Sequence, residues 1–175
     1  MSKVYITGIS GVGKSSVAEE LSKLGIRAID IDAVPGLCRW KNKKTGERAD
    51  YQYGIGREWL EAHDYFCDSN KLKKMINESG AAVAVFGVAS NQQEYWDCFD
   101  KIILLRCKEE IFIHRLSTRS GDNEFARTPD EQKHILSWYK EYEDDMIKKG
   151  AIAINTEDPL PVVVDKVVRE IQGEA

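Results

Sequence analysis

The sequence predicts a three-layer α/β/α fold, a parallel sheet with helices on both faces. Three observations predict it: five short apolar runs, amphipathic stretches of helical period between them, and a glycine loop joining the first run to the first helical stretch. Strands alternating with helices build βαβ units, and right-handed crossovers place the helices on both sides of one sheet. A length of 175 residues, with 42% apolar and 31% charged side chains, fits a single domain able to bury its own core.

Val4, Tyr5 and Ile6 form the first apolar run, and Val17, Ala18, Leu21 and Leu24 then recur at helical spacing until Gly25. Residues 26–31 read as the second strand, with acid at its C-terminal end and a break at Pro35-Gly36. Residues 37–56 show no clear period and carry Gly46, Gly54 and Gly56, which predicts a long loop. Two helices are expected over 57–79, broken near Asp68-Ser69-Asn70, and the third strand over 81–86, ended by Gly87. Residues 101–105 are the fourth strand, followed by a helix from about Glu109 to Arg119 and a break at Ser120-Gly121-Asp122-Asn123. Thr128-Pro129-Asp130-Glu131 is a capping box with proline at the first helical position, opening a helix striped by Ile135, Tyr139, Tyr142 and Met146 and stopped at Gly150. Residues 151–155 are the fifth strand, and Pro159 or Pro161 opens a last helix carrying Val163, Val164, Val167, Val168 and Ile171.

A net charge of −4 argues against a chain built to coat nucleic acid or anionic lipid. The acid is uneven: residues 130–175 hold 11 acidic and 6 basic side chains, and residues 1–129 hold 18 and 19. Cys38, Cys67, Cys98 and Cys107 form no CxxC pair and have no histidine at finger spacing, so reduced thiols in a cytoplasmic protein are expected. Lys3 inside the first apolar run does not fit a secretory leader, and no run approaches the ~20 apolar residues of a membrane span. His63, His114 and His134 are expected on helices without a catalytic role, and Trp59, Tyr65, Phe66, Trp138, Tyr139 and Tyr142 in the core.

Gly8-Ile9-Ser10-Gly11-Val12-Gly13-Lys14-Ser15 satisfies G-x-x-x-x-G-K-[ST], between a strand and a helix. In that context backbone N–H groups and the helix N-terminus surround phosphate oxygens, and glycines let the backbone approach them. Lys14 then reaches the β- and γ-phosphates and the Ser15 hydroxyl ligates Mg²⁺, which makes ATP with Mg²⁺ the expected cofactor pair. Ser10, Gly11, Val12, Gly13 and Ser16 complete the nucleotide contacts. Arg115, Arg119 and Arg127 flank the 120–123 break, an arrangement that can deliver guanidinium forks over phosphates from a mobile lid at about 115–128. Asp30 and Asp32, two residues apart on an extended segment, share one face at the C-terminal edge of the sheet, where open α/β sheets bind ligands.

Through the loop at 8–15, the Asp30-Ile31-Asp32 pair, the three arginines and the Asn155-Thr156-Glu157-Asp158-Pro159 turn, nearly the whole chain resembles the small P-loop kinases, the group of shikimate, gluconate and adenylate kinases. The resemblance implies a five-stranded parallel sheet in order 2-3-1-4-5, an acceptor region at about 33–66, and a lid. It further implies Asp30 on the metal side, Asp32 at the acceptor hydroxyl, adenine stacked on Arg115 or Arg119, and Asn155, Thr156 and Pro159 lining the base. Phe86-Gly87-Val88-Ala89-Ser90-Asn91 departs from the acidic segment of adenylate kinases and is closer to the glycine turn of metabolite kinases, which places Gly87 and Asn91 at the acceptor.

The segment 39–48 carries five basic residues and one acid around Trp40. Arg39 and Trp40, with Arg57 by the same resemblance, are therefore candidates to hold a phosphate or carboxylate on the acceptor, and the overall acidity sets a nucleic-acid partner aside. The expected function is transfer of the γ-phosphoryl group of ATP to a hydroxyl of a small metabolite or nucleoside, by a monomer or homodimer. The alternatives are a nucleoside monophosphate kinase and a P-loop ATPase switch acting through a partner.

Overall fold

The computed structural model describes residues 2–80, 82–121 and 123–173. Ala81, expected to open the third strand, and Asp122, expected in the lid break, lie outside the described residues. Five strands, β1 (Lys3–Thr7), β2 (Ala28–Asp30), β6 (Val83–Phe86), β7 (Lys101–Arg106) and β8 (Ile152–Asn155), form one sheet in the order β2-β6-β1-β7-β8, every pair parallel. Renumbered along the chain, that is the expected order 2-3-1-4-5. The central strands are apolar without alternation because both faces are covered. Val4 and Ile6 of β1 pack with Val17, Leu21, Phe112 and Val167 on one side, while Tyr5 packs with Leu72, Ile76 and Tyr95 on the other. Tyr5 is fully buried, and its hydroxyl donates to the Gly87 carbonyl at 2.9 Å, which satisfies the polar end of an otherwise apolar side chain.

The helices are α1 (Lys14–Lys23), α2 (Arg57–Ala62), α3 (Ser69–Glu78), α4 (Glu109–Thr118), α5 (Pro129–Leu136), α6 (Tyr139–Lys148) and α7 (Leu160–Gln172), with a 3₁₀ turn over Gln92–Cys98. The capping box forms as expected, the Thr128 hydroxyl accepting from the Glu131 N–H. The single helix expected from 129 to 150 is two. The Ser137 hydroxyl bonds back to the His134 carbonyl at 2.6 Å and Trp138 leaves helical geometry (φ −133°), so the ladder restarts at Tyr139.

The loop expected over 37–56 is structured. β3 (Cys38–Asn42), β4 (Arg48–Ala49) and β5 (His63–Cys67) form an antiparallel sheet in the order β4-β3-β5. The Asn42 side chain caps the β3–β4 turn, its Oδ1 accepting from the Lys44 and Thr45 N–H groups at 2.9 and 3.1 Å. β5 takes the place of the second half of an expected helix, and His63 lies on this strand rather than on a helix. Register pairs Trp40 with Tyr65 on one face of the small sheet and Arg39 with Phe66 on the other.

Candidate active site

The loop between β1 and α1 wraps the C-terminal end of the sheet. Gly8 opens it at φ +147°, where a Cβ would lie 2.3 Å from the Leu105 carbonyl oxygen of β7, so only glycine allows this approach. Gly13, left-handed at φ +102°, caps α1 without a side-chain hydrogen bond and leaves the first amides of the helix to a ligand. A cleft of about 590 Å³ lies over the loop, lined by residues 10–17 together with Asp32, Arg115, Arg119, Asn123, Thr156 and Asp158 among others. A depression of equal volume around Trp138, Glu141, Asp144 and Asp145 is acidic and has no phosphate-cradling backbone.

The Lys14 ammonium folds back over the loop and donates to the Gly8 and Ile9 carbonyls at 2.5 and 3.0 Å. Burial pushes its pKa down to about 8, against the opposing pull of Asp32 and Asp30, and Arg119 adds to the lowering. The Ser15 hydroxyl donates to Asp30 Oδ2 at 3.3 Å, and Asp30 Oδ1 accepts the Asp32 N–H at 3.0 Å. Asp32 is exposed, yet desolvation by neighbouring protein raises its pKa from the ordinary aspartate value, and the Tyr65 hydroxyl, donating to Asp32 Oδ1 at 2.8 Å, opposes the rise.

The three arginines divide. Arg115 braces the walls: Nη1 donates to the Val12 carbonyl and the Thr156 hydroxyl, both at 3.2 Å, and Nη2 to the Thr156 carbonyl at 2.8 Å. It is therefore not a free lid arginine, because its donors already tie the loop to the turn after β8. Arg119 has one long bond, to the Phe125 carbonyl at 3.5 Å, and burial together with Arg127 lowers its pKa. Arg127 donates to the Gly121 carbonyl, while its buried Nε has no partner. Among the described residues no carboxylate forms an ion pair with either Arg119 or Arg127, so an anion in the cleft would relieve their repulsion.

The family described as "AAA domain" matches residues 4–137, from β1 to the end of α5. The chain belongs to the AAA domain family. No curated protein sequence matches it. The fold of this AAA domain is that of the small P-loop kinases. It is similar to shikimate kinase from Acinetobacter baumannii in complex with shikimate (TM-score 0.60, 17% identity, 99% of this chain and 94% of that one). It is also similar to deoxyadenosine kinase from M. mycoides with bound dATP (0.57, 16%, 97% and 99%) and to a gluconokinase from Sinorhizobium meliloti (0.56, 19%, 98% and 94%).

Other expected site residues of the AAA domain sit elsewhere. Arg39 is exposed on the face of β3 opposite Trp40, and Arg57 pairs with Glu61 at 2.5 Å. Lys43 pairs with Asp64 at 3.7 Å and Arg48 with Asp50 at 3.5 Å, so these cations of the basic segment meet local acids. Asn91 is not free for an acceptor: it is buried, and its amide clamps Cys67, accepting from the N–H at 2.9 Å and donating to the carbonyl at 2.8 Å. Gly87 is a packing position, where a Cβ would strike the Ile31 side chain at 2.3 Å. Asn155 caps its own turn by accepting the Glu157 N–H at 2.7 Å, and Pro159 precedes α7. Leu160 and Val163 of α7 line the cleft beside Thr156 and make its wall apolar there.

Tyr65, expected in the core, instead turns its hydroxyl to Asp32. Only the pairing of β3 with β5 aims it there. Trp40, expected at the acceptor, packs beside Tyr65, its ring 5.0 Å from that of Tyr65 and 6.0 Å from that of Phe125. Among the described residues no helix is long and apolar enough to cross a membrane.

Proposed function

We propose that this AAA domain transfers the γ-phosphoryl group of ATP to a hydroxyl group of a small molecule. The reading is carried by one juxtaposition: a single cleft holds the phosphate loop with Lys14, the arginine Arg119 without an acid partner among the described residues, and the carboxylate of Asp32. Backbone amides of residues 10–15 would bind the phosphates, and Lys14 would leave its two loop carbonyls to meet the β- and γ-oxygens. Arg119 and Arg127 would neutralise charge on the transferred group, since phosphoryl transfer depends mainly on positioning and electrostatics. Asp32, held by Tyr65, would accept a hydrogen bond from the acceptor hydroxyl and orient its oxygen for attack on the γ-phosphorus. Ser15 and Asp30 offer two oxygen donors suited to Mg²⁺, and that ion would supply charge neutralisation at the phosphates. A switch would need neither Asp32 nor arginines supplied by the same chain.

The test is ADP formation by the purified chain with MgATP against a panel of hydroxyl acceptors. Lys14→Ala is expected to lower transfer at least ~10²-fold. Asp32→Asn is expected to abolish transfer while leaving ATP affinity nearly intact. If no acceptor raises ADP formation above the ATPase background, the transfer reading fails.

A further inference from the structure

β3 and β5 set two cysteines opposite each other. Register pairs Cys38 with Cys67, two residues from the Trp40–Tyr65 pair and on the same face of the small sheet. The pair is of the non-hydrogen-bonded kind. One step along the ladder the Asp68 N–H donates to the Leu37 carbonyl at 2.8 Å, while the Cys67 N–H and carbonyl turn away from β3 to the Asn91 side chain at 2.9 and 2.8 Å. In such a pair the Cα atoms stand about 4.5 Å apart and the side chains approach closely, inside the ~4.4–6.8 Å that a disulfide spans. Asn91 fixes this register, because a one-residue slip of β5 would break both bonds of its amide to Cys67.

The other two cysteines are placed differently, Cys98 beside Asp97 and Cys107 beside Arg115. All four are free thiols. Cys67 is fully buried and Cys38 is half-buried, so an oxidant in solution meets Cys38 first. The pair adjoins the hydroxyl that holds Asp32. Burial, then Asp32, then Cys38 raise the Tyr65 pKa, and the Tyr65 hydroxyl in turn opposes the rise at Cys38, which puts thiol and hydroxyl within reach of each other. A disulfide brings its two sulfurs to about 2.05 Å, closer than two thiols in contact can stand, so its closure shifts β3 against β5 two residues from Tyr65. It also removes the Cys38 S–H from beside that hydroxyl.

We propose that Cys38 and Cys67 form a reversible disulfide with small-molecule disulfides as oxidant, and that the crosslink disengages Tyr65 from Asp32 and slows phosphoryl transfer. The rate effect rests on the phosphoryl-transfer reading; the crosslink does not. In the exchange the Cys38 thiolate attacks one sulfur of the oxidant, forming a mixed disulfide and expelling one small thiolate. The Cys67 thiolate then attacks Cys38 Sγ, and the second small thiolate leaves. The two cysteine protons end on the two released thiols, and two electrons pass from the cysteine pair to the oxidant. An excess of small thiol runs the same steps backwards, helped by a Cα spacing near the short limit, which strains the crosslink. The adjoining Cys67 thiol, and after it burial, push the Cys38 thiol up, so the forward exchange is slow at neutral pH and quickens as pH rises.

Two measurements test the proposal. The first incubates the wild-type chain with glutathione disulfide at mildly alkaline pH, then counts thiols after denaturation and maps linked peptides by mass spectrometry. Loss of a pair of thiols, a linked peptide pair carrying Cys38 and Cys67, and full recovery with dithiothreitol are expected. A stable glutathione adduct at Cys38 without a crosslink, or linkage through Cys98 or Cys107, would overturn the proposal. The second is ADP formation with MgATP and an acceptor that the reduced protein phosphorylates, compared between reduced and crosslinked protein. The crosslink is expected to lower kcat about fivefold, the worth of one neutral hydrogen bond, to leave KM for ATP unchanged, and to have no further effect in Tyr65→Phe. A crosslinked protein as fast as the reduced one would overturn the rate effect, and an equal fall in Tyr65→Phe would overturn its route through Tyr65. If the reduced protein phosphorylates no acceptor, the kinase reading fails and the rate effect with it, and the crosslink stands or falls on the thiol count.

Discussion

Lys14 and Asp32 affect each other's proton affinity across the cleft, and in the proposed transfer each is expected to set one limb of the pH dependence. Because burial lowers Lys14 to about 8, its positive charge is complete below that pH and is lost above it, so kcat/KM for ATP in the free protein should fall as pH rises through about 8. Bound phosphates favour the charged ammonium, so kcat should hold to higher pH than kcat/KM. Asp32 sets the acidic limb: its raised pKa means that the carboxylate is lost on acidification earlier than for a free aspartate. The Tyr65 hydroxyl favours the ionised form, so Tyr65→Phe is expected to move the acidic limb to higher pH and to lower kcat roughly fivefold, the worth of about one neutral hydrogen bond. A pH–rate profile of that variant checks both; an unmoved limb would make Tyr65 a packing residue only. Asp30 and Asp32 were legible as a pair from their spacing alone. Tyr65 was not, because its contact depends on a partner distant in sequence: it reaches Asp32 across 33 residues.

At the scale of elements, the loop from Gly8 to Gly13 is a joint between β1, α1 and β7 as much as a phosphate cradle. Gly8→Ala places a Cβ 2.3 Å from a β7 carbonyl oxygen at a φ of +147°, and neither backbone can yield without disturbing a central strand pair. A loss of roughly 2–4 kcal/mol in denaturant unfolding is expected. A variant as stable as the wild type would show that β1 and β7 separate more easily than their register implies. The five sheet strands and α1, α4 and α7 were legible because their apolar periods are clean. β3 and β5 were not, since Arg39 and Lys41 on β3 and His63 and Asp64 on β5 interrupt the apolar pattern and each strand is only five residues long. The break between α5 and α6 was hidden for another reason: the apolar stripe runs through it, and a serine hydroxyl, which has no period, interrupts the ladder.

For the whole molecule, the cleft gathers residues from the loop after β1 to α7, so a nucleotide bound there would tie the N-terminal loop to the C-terminal turn through Arg115 and Thr156. At a hundredfold excess over Kd, MgATP should stabilise the fold by about 2.7 kcal/mol, and at this chain length raise Tm by about 5–10 °C. A thermal scan showing no shift with MgATP would count against nucleotide binding at the loop. Of the eleven acids of residues 130–175, four lie on α6 and two on α7, and Asp158 lines the cleft. By itself the sequence determined the α/β class, the sheet strands and the phosphate loop with its lysine and serine, because local period and a contiguous motif express them. Only the tertiary structure decided which arginines remain without acid partners among the described residues, and which face of the small sheet meets Asp32. Those features depend on strand pairing and side-chain direction, and a one-residue change of register would have put Arg39 where Trp40 now stands.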